Sequence, residues 1–182
     1  MQSHAQHIIR ERVGYLVVAL LIFLVDQWTK YLATHYLDTG LTYGASRAVI
    51  DGFFHLTYVE NAGIAWGLFA DAGRGGKFVL GLISVIAAIG IIVYAVRTPV
   101  SERWTHWGLT LILGGVLGNL TDRVINGAVV DFLDFTIGSY RWPTFNLADM
   151  AISIGAFILI VDALRSPRES PPTEPVSLSS DQ

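Results

Sequence analysis

Asp131, Asp134 and Asp149 are the side chains of this 182-residue sequence best suited to chemistry, because the other common catalytic sets are missing. A serine hydrolase of the nucleophile-elbow kind needs G-x-S-x-G, which does not occur, and a Ser/Lys dyad has only Lys30 and Lys77 to draw on. The histidines are scattered: His4 and His7 lie near the N-terminus, and His35, His55 and His106 are isolated. Packing suits them better than ligation, since zinc hydrolysis wants H-E-x-x-H or a comparable cluster. Cysteine is absent, which removes thiolate nucleophiles, disulfides and Cys-based zinc sites and leaves the redox compartment unread. Paired carboxylates remain. Two neighbouring aspartates share one proton because adjacent like charges do not both ionise; one then acts as base toward water while the other donates to a carbonyl. In a strand starting at Val129, Asp131 shares a face with Val129 and Leu133 whereas Asp134 points the other way. Only one of them can face a helix-borne Asp149, and spacing leaves open which.

Positioning these groups falls to a membrane scaffold. The chain is 52% apolar and 15% charged, with a mean hydropathy of +0.50, above the range of ordinary soluble domains. A net charge of −3 offers no basic footprint for nucleic acid. Crossing a ~30 Å hydrocarbon core takes about 20 apolar residues, and four runs approach that length. Expected spans cover about 13–35, 77–97, 104–122 and 147–165. Arg10 and Arg12 before a short apolar core resemble the start of a secretory signal peptide, but Asp26, Trp28 and Lys30 follow it instead of a small-residue cleavage site. The expected fold is thus a membrane all-α domain over residues 1–165, four transmembrane helices with a small β element.

The loops at 36–76 and 123–146 supply that β element. Gly52 to Glu60 reads as a strand, Ala128 to Phe135 as a second β-prone run after the tight-turn signal Asn126-Gly127, and Gly73, Gly75 and Gly76 as a flexible lead into the second helix. A small sheet at the membrane surface is expected from the first of these loops. The tail, 166–182, holds four of the six prolines with Ser, Glu and Asp, and reads as disordered. Lys and Arg divide evenly between the two sides, so orientation rests on the short polar ends: Arg10 and Arg12, Arg97 and Arg103, Arg165 and Arg168. These favour cytoplasmic termini.

With four antiparallel spans, Asp26, Lys30, Asn61, Asn119, Asp122, Arg123, Asp131, Asp134, Asn146 and Asp149 all fall on one side, and the other side has no matching set. Ionisable groups in or at the rim of hydrocarbon cost roughly 2.5 to 3.5 kcal/mol at a helix centre and usually mark function. Taken alone, Asp26 and Lys30 merely neutralise each other at i,i+4 where a helix leaves the membrane, with Lys30 free to snorkel into headgroups. Asp122 and Arg123 alone would only end a helix. The preceding Gly114-Gly-Val-Leu-Gly-Asn119 calls for a partner helix, because its glycines permit close approach and Asn119 adds a buried-capable amide. Trp28, Trp104, Trp107 and Trp142 read as interfacial anchors.

As a set, five motifs resemble the bacterial lipoprotein signal peptidases, or signal peptidase II. They are Asp26-Gln-Trp-Thr-Lys30, Asn61-Ala-Gly-Ile-Ala-Trp66, the run from Gly114 to Arg123, Val129-Val-Asp-Phe-Leu-Asp-Phe135 and Phe145-Asn-Leu-Ala-Asp149. They occur in the family's order across residues 13 to 165. The resemblance implies an aspartyl endopeptidase of the bacterial inner membrane, cutting prolipoproteins just before a diacylglyceryl-modified cysteine, with its site toward the extracytoplasmic side. It places the catalytic pair on Asp131 and Asp149 and a substrate-binding or supporting role on Asp26, Lys30, Asn61, Asn119, Asp122, Arg123 and Asn146. Asn61 and Arg123 would orient substrate backbone or loops, and Asp122 would hold Arg123 or cap its segment. No cofactor or metal is implied, the partners are prolipoproteins and the bilayer, and no oligomer is required. Ile64 departs from the small residue more usual at its position, and the tail extends beyond the shared region.

Two other classes compete. A small proton- or ion-coupled transporter would run a path through Asp26, Asp122 and Asp149, but the second span is featureless and no interrupted helix pair repeats in the two halves. A noncatalytic scaffold would tolerate isosteric changes at the aspartates.

Overall fold

Each helix sorts its residues by what it faces. The computed structural model describes residues 2–38, 43–63 and 73–165; Ile64, Trp66 and the tail lie outside them. The first helix, α1 (Gln2–Leu37), buries Ala19, Asp26, Lys30, Ala33 and Leu37, a stripe at helical spacing, while Leu16, Val17, Leu20, Leu21, Leu24 and Val25 are exposed. The buried stripe thus carries two charged residues among three apolar ones, while the exposed face is apolar over 16–25. The helix α2 (Gly73–Arg97) likewise buries Leu80 and Ala88 and exposes Phe78, Ile83, Ile86 and Ile89. Its first turn contains Gly73, Gly75 and Gly76, so the expected flexible lead is helical.

The centre of the bundle is α3 (Arg103–Ile125), packed against α1, α2 and α4 (Leu147–Arg165). Its glycines make this possible. A Cβ on Gly114 would stand 2.8 Å from the Ala19 carbonyl of α1, one on Gly115 would strike the Ala148 carbonyl of α4, and one on Gly118 would strike the Asp26 carboxylate. Gly108 and Gly155 make the same close approach farther along α3 and α4. The glycine run thus has two partner helices. Three helices, α2 over Phe78–Arg97, α3 and α4, are long and apolar enough to cross a membrane among the described residues.

The two long loops meet in one antiparallel sheet of order β1-β2-β3-β4: β1 (Tyr43–Ile50), β2 (Phe54–Asn61), β3 (Val129–Ile137) and β4 (Tyr140–Arg141). The expected strands were seen separately in the sequence; their mutual pairing was not. Asn126-Gly127 closes a helix, not a hairpin: Gly127 adopts φ 71° and its N–H returns to the Arg123 carbonyl at 3.1 Å, a left-handed cap ending α3. Across β2 and β3, Leu56 opposes Leu133 and Val59 opposes Asp131, so three steps along β2 match two along β3, a bulge between the positions facing Asp131 and Asp134. Ala33 and Leu37 of α1 pack with Tyr58, Val130 and Phe132, which fixes the sheet onto the end of the bundle.

Candidate active site

Asp131 lies mid-strand in β3 with 2% of its surface exposed. Asn61 pairs with Val129 across the β2–β3 ladder, so it stands diagonal to Asp131 on the same face, and its Nδ2 donates to Asp131 Oδ2 at 3.0 Å. From the other side Asn146 Nδ2 donates to Asp131 Oδ1 at 2.7 Å. Asn146 is also the residue just before α4. Its Oδ1 accepts the Asp149 N–H at 3.0 Å, and Asp149 Oδ2 accepts the Asn146 N–H at 3.3 Å, a reciprocal box satisfying two orphan donors of the helix start. One residue therefore touches both carboxylates, Asp131 through its side-chain amide and Asp149 through its backbone N–H. Burial first, and then the nearby Asp149 charge, push the Asp131 carboxyl up to about 7, against the opposing pull of the Asn61 and Asn146 hydrogen bonds.

Below this pair is a second layer of charge. Lys30 is 3% exposed and so does not snorkel as it would in a simple helix-exit pair. Its Nζ donates to Asp26 Oδ2 at 2.9 Å, Asp122 Oδ2 at 2.8 Å and Asn119 Oδ1 at 2.8 Å, which uses all three ammonium protons. Desolvating such a group is costly unless every partner is in place. Asp26 Oδ1 accepts the Ala148 N–H of α4's first turn at 2.9 Å, so an α1 carboxylate sits at the positive end of α4. Asn119 relays the layer to the pair above, its Nδ2 donating to Asp149 Oδ1 at 2.8 Å and its Oδ1 also accepting Asn146 Nδ2 at 3.2 Å.

Residues 18–165 match the family described as signal peptidase (SPase) II. The chain belongs to that family. It is 40% identical over 165 residues to the lipoprotein signal peptidase of Francisella tularensis subsp. novicida (strain U112), covering 90% of this chain and 99% of that one. It is 46% identical over 156 residues to the lipoprotein signal peptidase of Cupriavidus taiwanensis, covering 85% of each. Its fold is similar to that of a bacterial membrane enzyme solved by the in meso method at 1.9 Å resolution, with a TM-score of 0.73 at 30% identity, over 85% of this chain and 94% of the solved one. Membership and the three apolar helices make this signal peptidase II chain a multi-pass protein of the bacterial inner membrane.

All nine polar residues singled out in the peptidase sequence converge on the start of α4. Asp134 does not join them. It turns to the opposite face of the sheet, where it takes two hydrogen bonds from Arg141, one of them from Nε at 2.9 Å, and one from Thr57 Oγ1 at 2.8 Å, with Ser46 next in line at 2.7 Å from Thr57. The Arg141 guanidinium, with help from Thr57, holds the Asp134 carboxyl below the usual carboxylate range. Asp122 does not take the expected part of holding Arg123: its hydrogen bonds run to Lys30, to Gln27 Nε2 at 3.1 Å and to the Val130 N–H at 3.3 Å. Arg123 donates to the Asn119 carbonyl at 3.4 Å and has Asp149, Asp131 and Asp122 within electrostatic reach.

Gln27 is the polar residue that sequence reasoning passed over. Its Nε2 contacts Asp26, the Gly118 carbonyl and Asp122, and its place between Asp26 and Lys30 in the first motif was the available signal. The opposite end of the bundle is less bare than expected. There Thr105 Oγ1 donates to Asp162 Oδ2 at 2.6 Å, and buried His106 stacks on Tyr15 with ring centroids 4.9 Å apart.

Proposed function

We propose that this signal peptidase II chain is an aspartic endopeptidase that removes signal peptides from prolipoproteins, hydrolysing the bond before the diacylglyceryl-modified cysteine with Asp131 and Asp149. The observation carrying this reading is Asn146, which hydrogen-bonds Asp131 with one atom and locks Asp149 into the helix start with another. Asp131, whose carboxyl is pushed up to about 7, is placed as the acid. Asp149, accepting from Asn119 and from the Asn146 N–H, is placed as the base. It takes a proton from water as the oxygen attacks the scissile carbonyl, while Asp131 donates its proton to the carbonyl oxygen. Collapse of the tetrahedral intermediate returns a proton to the departing amine.

The same reading assigns α1 as a fourth span beside α2, α3 and α4, with both termini cytoplasmic and the sheet on the extracytoplasmic surface. Support comes from the apolar outer face of α1 and from the sheet's attachment at the α1 end carrying Asp26 and Lys30. A diacylglyceryl group is held most cheaply in lipid, so carboxylates at headgroup level allow cleavage beside it. Single-domain organisation over 1–165 belongs to this proposal.

The test is cleavage of a lipid-modified prolipoprotein by purified enzyme. Asp131→Asn and Asp149→Asn are each expected to lose about 10²- to 10⁴-fold in turnover, the usual scale of general acid–base catalysis. Asp134→Asn, on the far side of the sheet, is expected to keep activity. Near-normal turnover by a folded Asp131 or Asp149 variant refutes the dyad.

A further inference from the structure

A groove of about 120 Å³ lies between α1, α2 and α3, lined by Leu16, Ala19, Ile92, Ala95, Leu109 and Leu113. Arg12 forms part of its wall. Arg12 precedes Asp26 by fourteen residues of continuous helix, roughly 20 Å along the axis, so the groove is separate from the carboxylate cluster. Arg12 Nη2 donates at 3.0 Å to the Val96 carbonyl, one of the orphan acceptors in the last turn of α2. That cap occupies one nitrogen of a guanidinium with five N–H donors. Its Nε is the buried side-chain polar atom left without a partner among the described residues. A starved donor of this kind marks a place where a further acceptor belongs.

Charge and shape identify that acceptor. Near the groove's Tyr15 stand Arg103 and the carboxylate of Glu11. Glu11 offsets Arg103 there, and Glu102 and Asp162, which share the Thr105 hydroxyl next to α4, keep their charge, so Arg12 is the cation of the groove wall with an unfilled donor. His106 is already committed, stacking on Tyr15 with its Nε2 3.2 Å from the Pro99 carbonyl. A cation at one end of an apolar slot fits an amphiphile whose anionic head meets the cation and whose chain fills the slot.

We propose that this groove binds an anionic phospholipid, its phosphate on the Arg12 guanidinium and one acyl chain between α1, α2 and α3. A net-negative lipid is preferred because the ammonium of a zwitterionic headgroup competes with the Arg12 guanidinium for the same phosphate. The bound chain lies beside Ala19 and Leu113, which belong to the packed cluster joining the three helices. The lipid therefore stabilises the docking of α2, which otherwise packs chiefly on α3.

Purified full-length protein in detergent is titrated with phosphatidylglycerol, phosphatidylethanolamine or inorganic phosphate, reading retained lipid by native mass spectrometry and thermal unfolding in parallel. Phosphatidylglycerol is expected to be retained and to raise Tm by several degrees, as a ligand binding only the folded state does. Phosphatidylethanolamine and inorganic phosphate are expected to do neither. Arg12→Gln should lose both effects, and Ala95→Phe, which fills the slot while leaving Arg12 in place, should lose them too. The proposal is overturned if phosphatidylethanolamine or inorganic phosphate matches phosphatidylglycerol, or if either folded variant keeps the wild-type response. Should Arg12→Gln fail to fold, Ala95→Phe decides.

Discussion

Asn146 performs two tasks with one side chain. Its oxygen caps α4 through the Asp149 N–H, and its nitrogen reaches Asp131 on the sheet. A capping interaction worth about 1 kcal/mol in an ordinary helix here also sets the distance between two carboxylates of the proposed dyad. The consequence is electrostatic. The folded Asp131 carboxyl, at about 7, lies above its ordinary value of 3.8, so the folded state holds its proton more tightly than the unfolded chain does. Stability from this group is therefore fully present below the unfolded value and is lost as pH rises through the folded one. In the proposed dyad catalysis follows the same proton, which Asp131 holds below about 7 and loses above it. The kcat/KM profile of the wild type is expected to fall tenfold per pH unit above about 7, and a profile flat to pH 9 would remove Asp131 from the role of acid.

At the scale of elements, the site depends on how closely α3 approaches its neighbours. Gly118 faces the Asp26 carboxylate, and that carboxylate both pairs with Lys30 and receives the α4 N–H of Ala148. Gly118→Ala is expected to displace Asp26 and lower activity at least tenfold with a loss of about 1–3 kcal/mol, the usual cost of overpacking. Gly81→Ala on α2, where a new Cβ meets nothing, should match the wild type in cleavage and unfold no earlier, since Ala favours a helix interior over Gly by about 1 kcal/mol. Within the first loop β2 lies between β1 and β3 and has no free edge, and proline substitutions there would break the ladder that sets Asn61 against Asp131. The edge strands are β1 and the two-residue β4.

For the whole molecule, the proposed topology sets Ser101 and Ser139, both exposed, at opposite ends of α3. Because the chain has no cysteine, Ser101→Cys and Ser139→Cys each give a single labelling site. A membrane-impermeant maleimide is expected to modify the Ser139 variant in intact spheroplasts and the Ser101 variant only after permeabilisation; the reverse pattern inverts the orientation. Much of this architecture was legible in the residues. Long apolar runs announced helices because hydrocarbon leaves the backbone no other partner, and the glycines of α3 announced close neighbours. Five motifs in order were enough to indicate the family, and with it the preference for Asp131 over Asp134 as half of a dyad. What the sequence by itself determined was therefore the class of protein, the helices and the list of polar residues. Tertiary structure alone decided their company: Lys30 turned inward, Asp122 bonded away from Arg123, Gln27 joined the cluster, and two distant loops closed into one sheet. The physical reason is that spacing along a chain specifies which face a side chain occupies. Whether a buried charge finds its three partners depends on segments as many as 122 residues apart, such as Asp26 and Ala148, meeting in space.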